Sequence, residues 1–198
     1  MRKLVACLAC RNGGSRLYGK PLQNLDMENG LTVLDYMLKS ISSYKAVSET
    51  VLAISTALDN EVYVNLAKQR RIPFIVGSDE DVLDRLIKSC EFVDGTDIFR
   101  LTSESPYTYF EAIDQAWDDH LTSNADLTAL ENLPDGSGFE IIKLEAYKTS
   151  WIKGDNRHRS EICSLYIREN KNQFKICSID IPDSLRRLDV RLTVDYPE

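Results

Sequence analysis

The residues best suited to chemistry lie in one glycine-rich loop near the start of the chain. Arg11, Arg16 and Lys20 fall within ten residues of one another, among three glycines. Glycines let the backbone approach a ligand and aim its N–H groups at an anion. An arginine can grip two phosphate oxygens at once, and a lysine adds a compact point charge. The loop therefore predicts a phosphate-binding site, with a flexible basic surface loop as the plain alternative.

The same loop begins like the P-loop of ATPases and kinases, because Gly14 to Lys20 fits the pattern G-x-x-x-x-G-K. The next residue is Pro21, where a P-loop carries the serine or threonine whose hydroxyl binds magnesium. A P-loop enzyme is therefore disfavoured.

Two weaker signals have structural explanations. Asp79 and Asp81 fit the D-x-D pattern of metal-dependent glycosyltransferases, but Ser78 or Asp79 is also well placed to cap a following helix. Capping is the favoured interpretation. His120 follows Trp117 by three residues on an amphipathic segment, which favours a partly buried structural histidine.

The amino-acid composition of the chain limits the classes of partner that it can bind. The 198 residues include 24 Lys and Arg against 31 Asp and Glu, a net charge of −7. An acidic surface repels polyanions, so we expect no nucleic-acid partner, and a phosphorylated ligand needs a local cationic cluster. The longest apolar run has seven residues, far below the roughly 20 of a membrane span, so we expect no membrane partner. Five cysteines without framework spacing fit a reducing compartment, which predicts a cytoplasmic protein.

The loop follows the first of a series of strand–helix units that must position it. Apolar runs predict strands at 4–9, 51–55, 72–76, 97–102 and 126–130. Apolar residues at helical spacing predict a helix from Thr32, capped by Thr32 with Asp35, and further helices at 59–70, 79–92 and 109–121. Successive units of this kind imply an α/β fold, a parallel sheet with helices on both faces. Ligands bind at the carboxyl ends of the strands in such sheets, which is where the loop lies.

The organisation changes after Glu131. A turn-rich segment at 132–138 precedes predicted strands at 139–144, near 174–179 and at 192–195, with a helix at 160–169. We therefore interpret 1–198 as one domain that includes a small extra lobe at 132–182. The last four residues resemble a turn leading into another helix, which is compatible with a natural chain that continues past Glu198.

Several motifs in order resemble one enzyme family. They are the loop 11–22, the segment 77–85, Asp135-Gly136 with Glu140, and the segments 166–170 and 191–198. They resemble the cytidylyltransferases that activate acidic and rare sugars, of the spore coat polysaccharide biosynthesis type, with the acylneuraminate and 3-deoxy-manno-octulosonate enzymes as relatives.

The resemblance implies a mostly parallel, Rossmann-like sheet of the nucleotide-diphospho-sugar transferase type. It also implies the activity of that family. That activity is the transfer of CMP from CTP to a sugar or related anionic small molecule, with release of pyrophosphate, for a surface polysaccharide. A homodimer is implied by resemblance only. The alternatives are the same transfer with GTP or onto a phosphorylated acceptor, and a non-catalytic nucleotide-binding domain of a larger protein.

The resemblance also assigns roles to single positions. Arg11, Arg16 and Lys20 are the expected catalytic residues. The expected nucleotide contacts are Ala9, Cys10, Arg11, Gly13, Gly14, Ser15, Arg16, Lys20, Ser78, Asp79 and Arg85. The lobe at 132–182 is expected to carry the dimer contact and the acceptor contacts Asp135, Glu140, His158 and Glu161.

A divalent metal is implied as well, Mg²⁺ or alternatively Mn²⁺, with Glu104 and Asp195 as its ligands. Hard oxygen ligands suit an ion that bridges phosphate oxygens. Glu104 departs from the family's Gly-Asp-x-Pro, since this chain has Ser103, Glu104, Ser105 and Pro106 there. The departure predicts a shifted metal, a changed ion preference or a site without catalysis. The plain alternatives are a solvated loop carboxylate for Glu104 and a helix cap for Asp195.

Overall fold

The computed structural model describes residues 1–13 and 17–194. Its strands are β1 (Leu4–Cys10), β2 (Asn24–Asp26), β3 (Leu31–Thr32), β4 (Val47–Ser55), β5 (Phe74–Gly77), β6 (Asp97–Thr102), β7 (Leu127–Leu130), β8 (Glu140–Lys143) and β9 (Ile176–Ile179). Its helices are α1 (Val33–Ile41), α2 (Glu61–Arg70), α3 (Val82–Phe92), α4 (Ile113–Ser123), α5 (Leu144–Lys153) and α6 (Leu165–Glu169).

Seven strands form one sheet in the order β5-β4-β1-β6-β8-β7-β9, and β2 pairs with β3 in a separate short hairpin. In the large sheet β8 runs antiparallel to its neighbours β6 and β7, while the other pairings are parallel. The prediction of an α/β fold with a mostly parallel sheet is therefore confirmed. The hairpin was not predicted.

Each face of the sheet carries its own apolar core. Along β1, Leu4 and Leu8 point into the core formed with α1 and α4, whereas Val5 and Cys7 point into the core formed with α3 and α5. Successive strand residues face opposite sides, so a strand covered on both faces must be apolar throughout. The continuous apolar run that predicted β1 has this cause.

The start of α1 confirms the predicted cap. The Asp35 N–H donates to Thr32 Oγ1 at 3.1 Å, and the Thr32 N–H donates to Asp35 Oδ2 at 3.4 Å. These reciprocal bonds satisfy backbone donors that the first helical turn leaves without partners.

The start of α3 differs from the prediction, because neither Ser78 nor Asp79 caps it. The cap is Asp81, whose Oδ1 accepts from the Asp84 N–H at 2.8 Å. Ser78 instead accepts the Asp81 N–H at 3.2 Å, so the preceding bend delays the helix until Val82.

The second half contains the other differences. The predicted strand at 139–144 ends at Lys143, and the unpredicted α5 follows at once without a glycine or proline between them. The predicted helix at 160–169 is shortened to Leu165–Glu169. A strand was predicted at 192–195, but the described residues 192–194 form none, and position 195 lies outside the described residues. Next to them, Arg191 makes an isolated β-bridge to Asp135. Because β8 and β9 join the main sheet, the segment 132–182 has no separate sheet of its own.

Candidate active site

A cleft opens beside the carboxyl ends of β1 and β6, as the topology predicts. Four positive side chains line it, Arg11, Lys20, Arg85 and Arg100, although the chain as a whole is acidic. Ala9 and Gly13 form part of the same wall. This is the local cationic cluster that an anionic ligand requires.

The described part of the glycine-rich loop is anchored by Asn12, which sequence reasoning missed. The Asn12 N–H donates to Asn60 Oδ1 at 2.7 Å, and its side-chain amide donates to the Asp59 carbonyl. The Gly19 N–H then donates to the Asn12 carbonyl at 3.0 Å, with Gly19 in the left-handed region at φ 60°. These bonds fix both ends of the loop before a ligand binds. Gly14, Ser15 and Arg16 lie outside the described residues.

Lys20 begins a short 3-10 turn, Lys20–Leu22, that closes the loop. Pro21 fits the first turn because a proline there loses no hydrogen bond. The Lys20 side chain is largely buried, and its Nζ lies 3.4 Å from Glu104 Oε1. Glu104 follows β6, so the loop cation and the predicted metal carboxylate meet across the cleft.

Arg85 is the most unusual side chain of the cleft. It comes from α3, is 1% exposed, and its Nε and Nη1 have no hydrogen-bond partner within the described part of the chain. Burial lowers the pKa of this guanidinium, and nearby Arg11 lowers it further, while Asp79 opposes the change. Burying a cation whose N–H donors lack partners destabilises the folded protein, unless a bound ligand accepts hydrogen bonds from those donors. The arrangement is what an anion receptor requires.

Gly77 makes room for this arginine. A Cβ on Gly77 would lie 2.9 Å from Arg85 Cγ, closer than side chains pack. The glycine that ends β5 therefore permits α3 to place Arg85 against the sheet.

Arg100 lies within β6 and was also missed by sequence reasoning. It lines the cleft and a second cavity that adjoins it. Its Nη2 donates to the Glu161 carbonyl at 2.5 Å, and its Nη1 lies 3.7 Å from Glu140 Oε2. Arg100 therefore ties the strand to the segment that carries Glu161.

The second cavity is lined in part by the turn-rich segment at 132–138, which contains the predicted acceptor contact Asp135. Asp135, Gly136 and Thr193 line it, and Glu104 belongs to both cavities. Glu161 lines the first cleft instead, where its carboxylate pairs with Arg11.

The other two predicted acceptor residues are not brought to either cavity. Glu140 accepts from Ser164 Oγ at 2.7 Å and from Arg168 Nη2 at 2.8 Å. His158 is buried, with Nε2 2.9 Å from Glu169 Oε2 and Nδ1 accepting from the Asp155 N–H. Both side chains hold α6 and the turn before it in place.

Several predicted positions have no direct place in the cleft. Ser78 and Asp79 are exposed beside it, and the buried Cys10 faces the core, where burial raises the pKa of its thiol to about 12. Asp81 is occupied as the cap of α3 and also accepts from Trp151 Nε1 at 2.8 Å. Both carboxylate oxygens of Asp81 are therefore engaged, which favours the capping interpretation of this segment over the D-x-D interpretation.

The described residues 1–13 and 17–194 contain no group of three His, Cys, Asp or Glu side chains that could hold a metal by themselves. Among the described residues Glu104 and Glu161 both line the cleft, but the Glu161 carboxylate is paired with Arg11, which leaves Glu104 as the candidate ligand, and Asp195 lies outside the described residues. Magnesium commonly uses one or two protein carboxylates together with substrate phosphates, so a single described carboxylate fits that mode. The described helices include none long and apolar enough to cross a membrane.

A mostly parallel α/β sheet with a cationic cleft at the carboxyl ends of its strands is suited to binding a phosphorylated ligand. The match to a family model is more specific: residues 5–195 match the model described as cytidylyltransferase. The chain belongs to the cytidylyltransferase family, as its motifs predicted.

Individual proteins agree with that assignment. The chain is 27% identical to the spore coat polysaccharide biosynthesis protein SpsF of Bacillus subtilis over 200 residues, covering all of this chain and 83% of the relative. A cytidylyltransferase structure from Leptospira borgpetersenii superimposes with a TM-score of 0.86 at 22% identity, covering 98% of this chain and 82% of the other. A CMP:2-keto-3-deoxy-manno-octonic acid synthetase, solved in complex with CTP, gives a TM-score of 0.73 at 13% identity, covering 98% and 94%.

Proposed function

We propose that this cytidylyltransferase binds CTP in the cationic cleft and transfers CMP to a sugar acceptor in the adjoining cavity, for a surface polysaccharide. The observation that carries the proposal is the buried Arg85, which lines the cleft together with Arg11 and Lys20 and whose Nε and Nη1 have no hydrogen-bond partner among the described residues. Membership of the family supports the nucleotide, and the relative from B. subtilis supports the polysaccharide role.

In the proposed reaction an acceptor hydroxyl oxygen attacks the α-phosphorus of CTP. The new oxygen–phosphorus bond forms as the bond to the bridging oxygen breaks, pyrophosphate leaves with that electron pair, and the hydroxyl proton is released. Such a transfer depends mainly on holding the triphosphate and neutralising its charge. Arg11, Lys20 and Arg85 supply that charge here, together with Arg16 as a predicted contact.

The divalent metal belongs to the same proposal. Glu104 would hold it, with Asp195 as the second predicted ligand, and when bound it would neutralise charge on the phosphate oxygens. Mg²⁺ is the expected ion and Mn²⁺ the alternative. Glu104 Oε1 lies 3.4 Å from Lys20 Nζ, which supports the proposal because a metal held by Glu104 would lie next to a phosphate bound by Lys20.

The adjoining cavity is the proposed acceptor site. It shares Glu104 and Arg100 with the cleft, so a ligand there would lie next to the triphosphate. Asp135 lines this cavity, which supports its predicted role as an acceptor contact. The homodimer stays a prediction from the resemblance.

Pyrophosphate release tests the proposal. The purified protein is incubated with CTP, Mg²⁺ and a panel of neutral, amino, acidic and phosphorylated sugars, and GTP replaces CTP in a parallel series. Release that needs both CTP and one sugar supports the proposal. Release with GTP but not with CTP would favour transfer from GTP, and release only with phosphorylated sugars would favour a phosphorylated acceptor. Nucleotide binding without release for any acceptor would favour a non-catalytic domain.

A further inference from the structure

Two residues that are 150 positions apart in the chain meet across the cleft. Arg11 follows β1, Glu161 precedes α6, and their side chains form an ion pair in which the Arg11 guanidinium contacts Glu161 Oε1. Both residues line the cleft. The carboxylate therefore occupies Arg11 Nη2, one of the donors that the guanidinium offers to a phosphate in the cleft.

The backbone of Glu161 is held separately from its carboxylate. Its carbonyl accepts from Arg100 Nη2 at 2.5 Å, and Arg100 faces Glu140, which Arg168 holds at 2.8 Å. The Glu161 side chain itself is 67% exposed. It can turn away from Arg11 into solvent without displacing the backbone that Arg100 fixes.

We infer that Glu161 is a built-in competitor of the nucleotide: its carboxylate neutralises Arg11 and must be displaced by the triphosphate. The inference rests on the proposed function, in which Arg11 binds phosphate. Two anions cannot share one guanidinium face without repulsion, so the pair lowers nucleotide affinity while it keeps Arg11 oriented toward the cleft. Glu161 therefore sets the affinity for the triphosphate moiety and not the choice of base.

The test compares wild type with Glu161→Gln, which keeps the shape of the side chain and removes its charge. Binding of CTP, inorganic tripolyphosphate and cytidine is measured by calorimetry at fixed ionic strength. Glu145→Gln is the matched control, because Glu145 pairs with Lys148 at 3.0 Å outside both cavities and its loss changes the net charge equally. A double variant with Arg11→Gln tests whether the effect passes through that arginine.

We expect Glu161→Gln to lower the Kd of CTP and of tripolyphosphate by about three- to tenfold, the range for releasing a partly exposed ion pair and removing a repelling charge. Cytidine binding and the Glu145→Gln protein should stay at wild-type affinity. The gain should disappear in the Arg11→Gln background.

Unchanged or weaker CTP binding by Glu161→Gln would overturn the inference while leaving the proposed function intact. An equal gain with Glu145→Gln would also overturn it, since net charge alone would then explain the effect. Absence of CTP binding to both wild type and variant would instead contradict the proposed function, and the inference with it.

Discussion

Lys20 Nζ and Glu104 Oε1 lie 3.4 Å apart, so the last cation of the glycine-rich loop faces the carboxylate that follows β6. The two residues come from elements 84 positions apart and meet because β1 and β6 are neighbours in the sheet. A phosphate bound by Lys20 would therefore lie beside the proposed metal carboxylate.

Replacing Glu104 by Gln should lower kcat for pyrophosphate release by about 100-fold, the loss typical of one preorganised electrostatic contact. The metal-dependent gain in CTP affinity should also be lost, while binding in EDTA should not weaken, because the cations remain. The pyrophosphate-release assay measures kcat, and calorimetry with and without Mg²⁺ measures the CTP affinity.

Glu104→Asp is the matched variant, since it keeps the carboxylate and restores the residue usual in the family. It should retain most of the turnover. Full activity of Glu104→Gln would show that the metal ligand lies elsewhere.

Replacing Arg85 by Met should weaken CTP binding by about 10- to 100-fold, because a charge-assisted contact in a buried position is lost. The free energy of unfolding should stay unchanged or rise, since the substitution removes a buried charge whose Nε and Nη1 have no hydrogen-bond partner among residues 1–13 and 17–194. Urea unfolding and calorimetry give the two quantities.

Arg168→Met provides the contrast. Arg168 is bonded to Glu140 and Glu131, so its loss should cost about 1–3 kcal/mol of stability and leave CTP affinity nearly unchanged. A large loss of stability in Arg85→Met would mean that Arg85 supports the fold and not the ligand.

The cationic loop could be predicted from the sequence, but its partners could not. Arg11 and Lys20 are visible because glycines and cations cluster next to a buried strand. Arg100 is hidden within the apolar run of β6, where a single charged residue gives no local signal. Asn12 acts through Asn60 and Asp59, which lie about 48 residues away.

The secondary-structure elements likewise divide into those that the sequence predicts and those that it does not. Strands covered on both faces produce continuous apolar runs, so β1, β4 and β6 could be predicted. The helix α5 could not, because β8 passes into it without a breaking residue and Thr149 and Ser150 dilute its helical pattern. Glu140 and His158 looked like acceptor contacts by resemblance, yet tertiary packing commits both to holding α6.

Gly136→Ala should destabilise the protein by about 2–4 kcal/mol, through both a disfavoured backbone and a clash. Gly136 has φ 90°, and an added Cβ would lie 2.7 Å from Thr193 Cγ2 and 3.1 Å from the Thr193 nitrogen. Gly30→Ala is the control, because Gly30 also has positive φ, at 63°, but nothing lies within 4 Å of its Cβ position. Its expected cost is about 1 kcal/mol. Equal losses in urea unfolding would show that the contact with Thr193 adds nothing.

Stability should also depend on pH through the buried Asp97. Burial alone would raise the pKa of its carboxyl, but hydrogen bonds from His120, Arg2 and Thr96 outweigh burial and lower it. The unfolded chain therefore binds the proton first as pH falls, so the contribution of Asp97 is complete at neutral pH and is lost below about pH 4. Unfolding in urea between pH 7 and pH 3 should show this loss.

Asp97→Asn removes the titrating group and should lower stability at pH 7 by about 2–4 kcal/mol, because Arg2 and His120 lose a buried charged partner. Its stability should then decline less than that of wild type between pH 4 and pH 3. Parallel curves for the two proteins would contradict a role of Asp97 in the acid sensitivity.

The assignment of the cationic cleft as the nucleotide site is tested by a calorimetric titration of the wild-type protein with CTP in Mg²⁺, repeated with GTP, ATP and UTP and with Arg85→Met. We expect binding that is selective for CTP and strongly weakened in the variant. CTP binding that Arg85→Met leaves unchanged, or no binding of any nucleotide, would contradict the assignment of the cationic cleft as the nucleotide site.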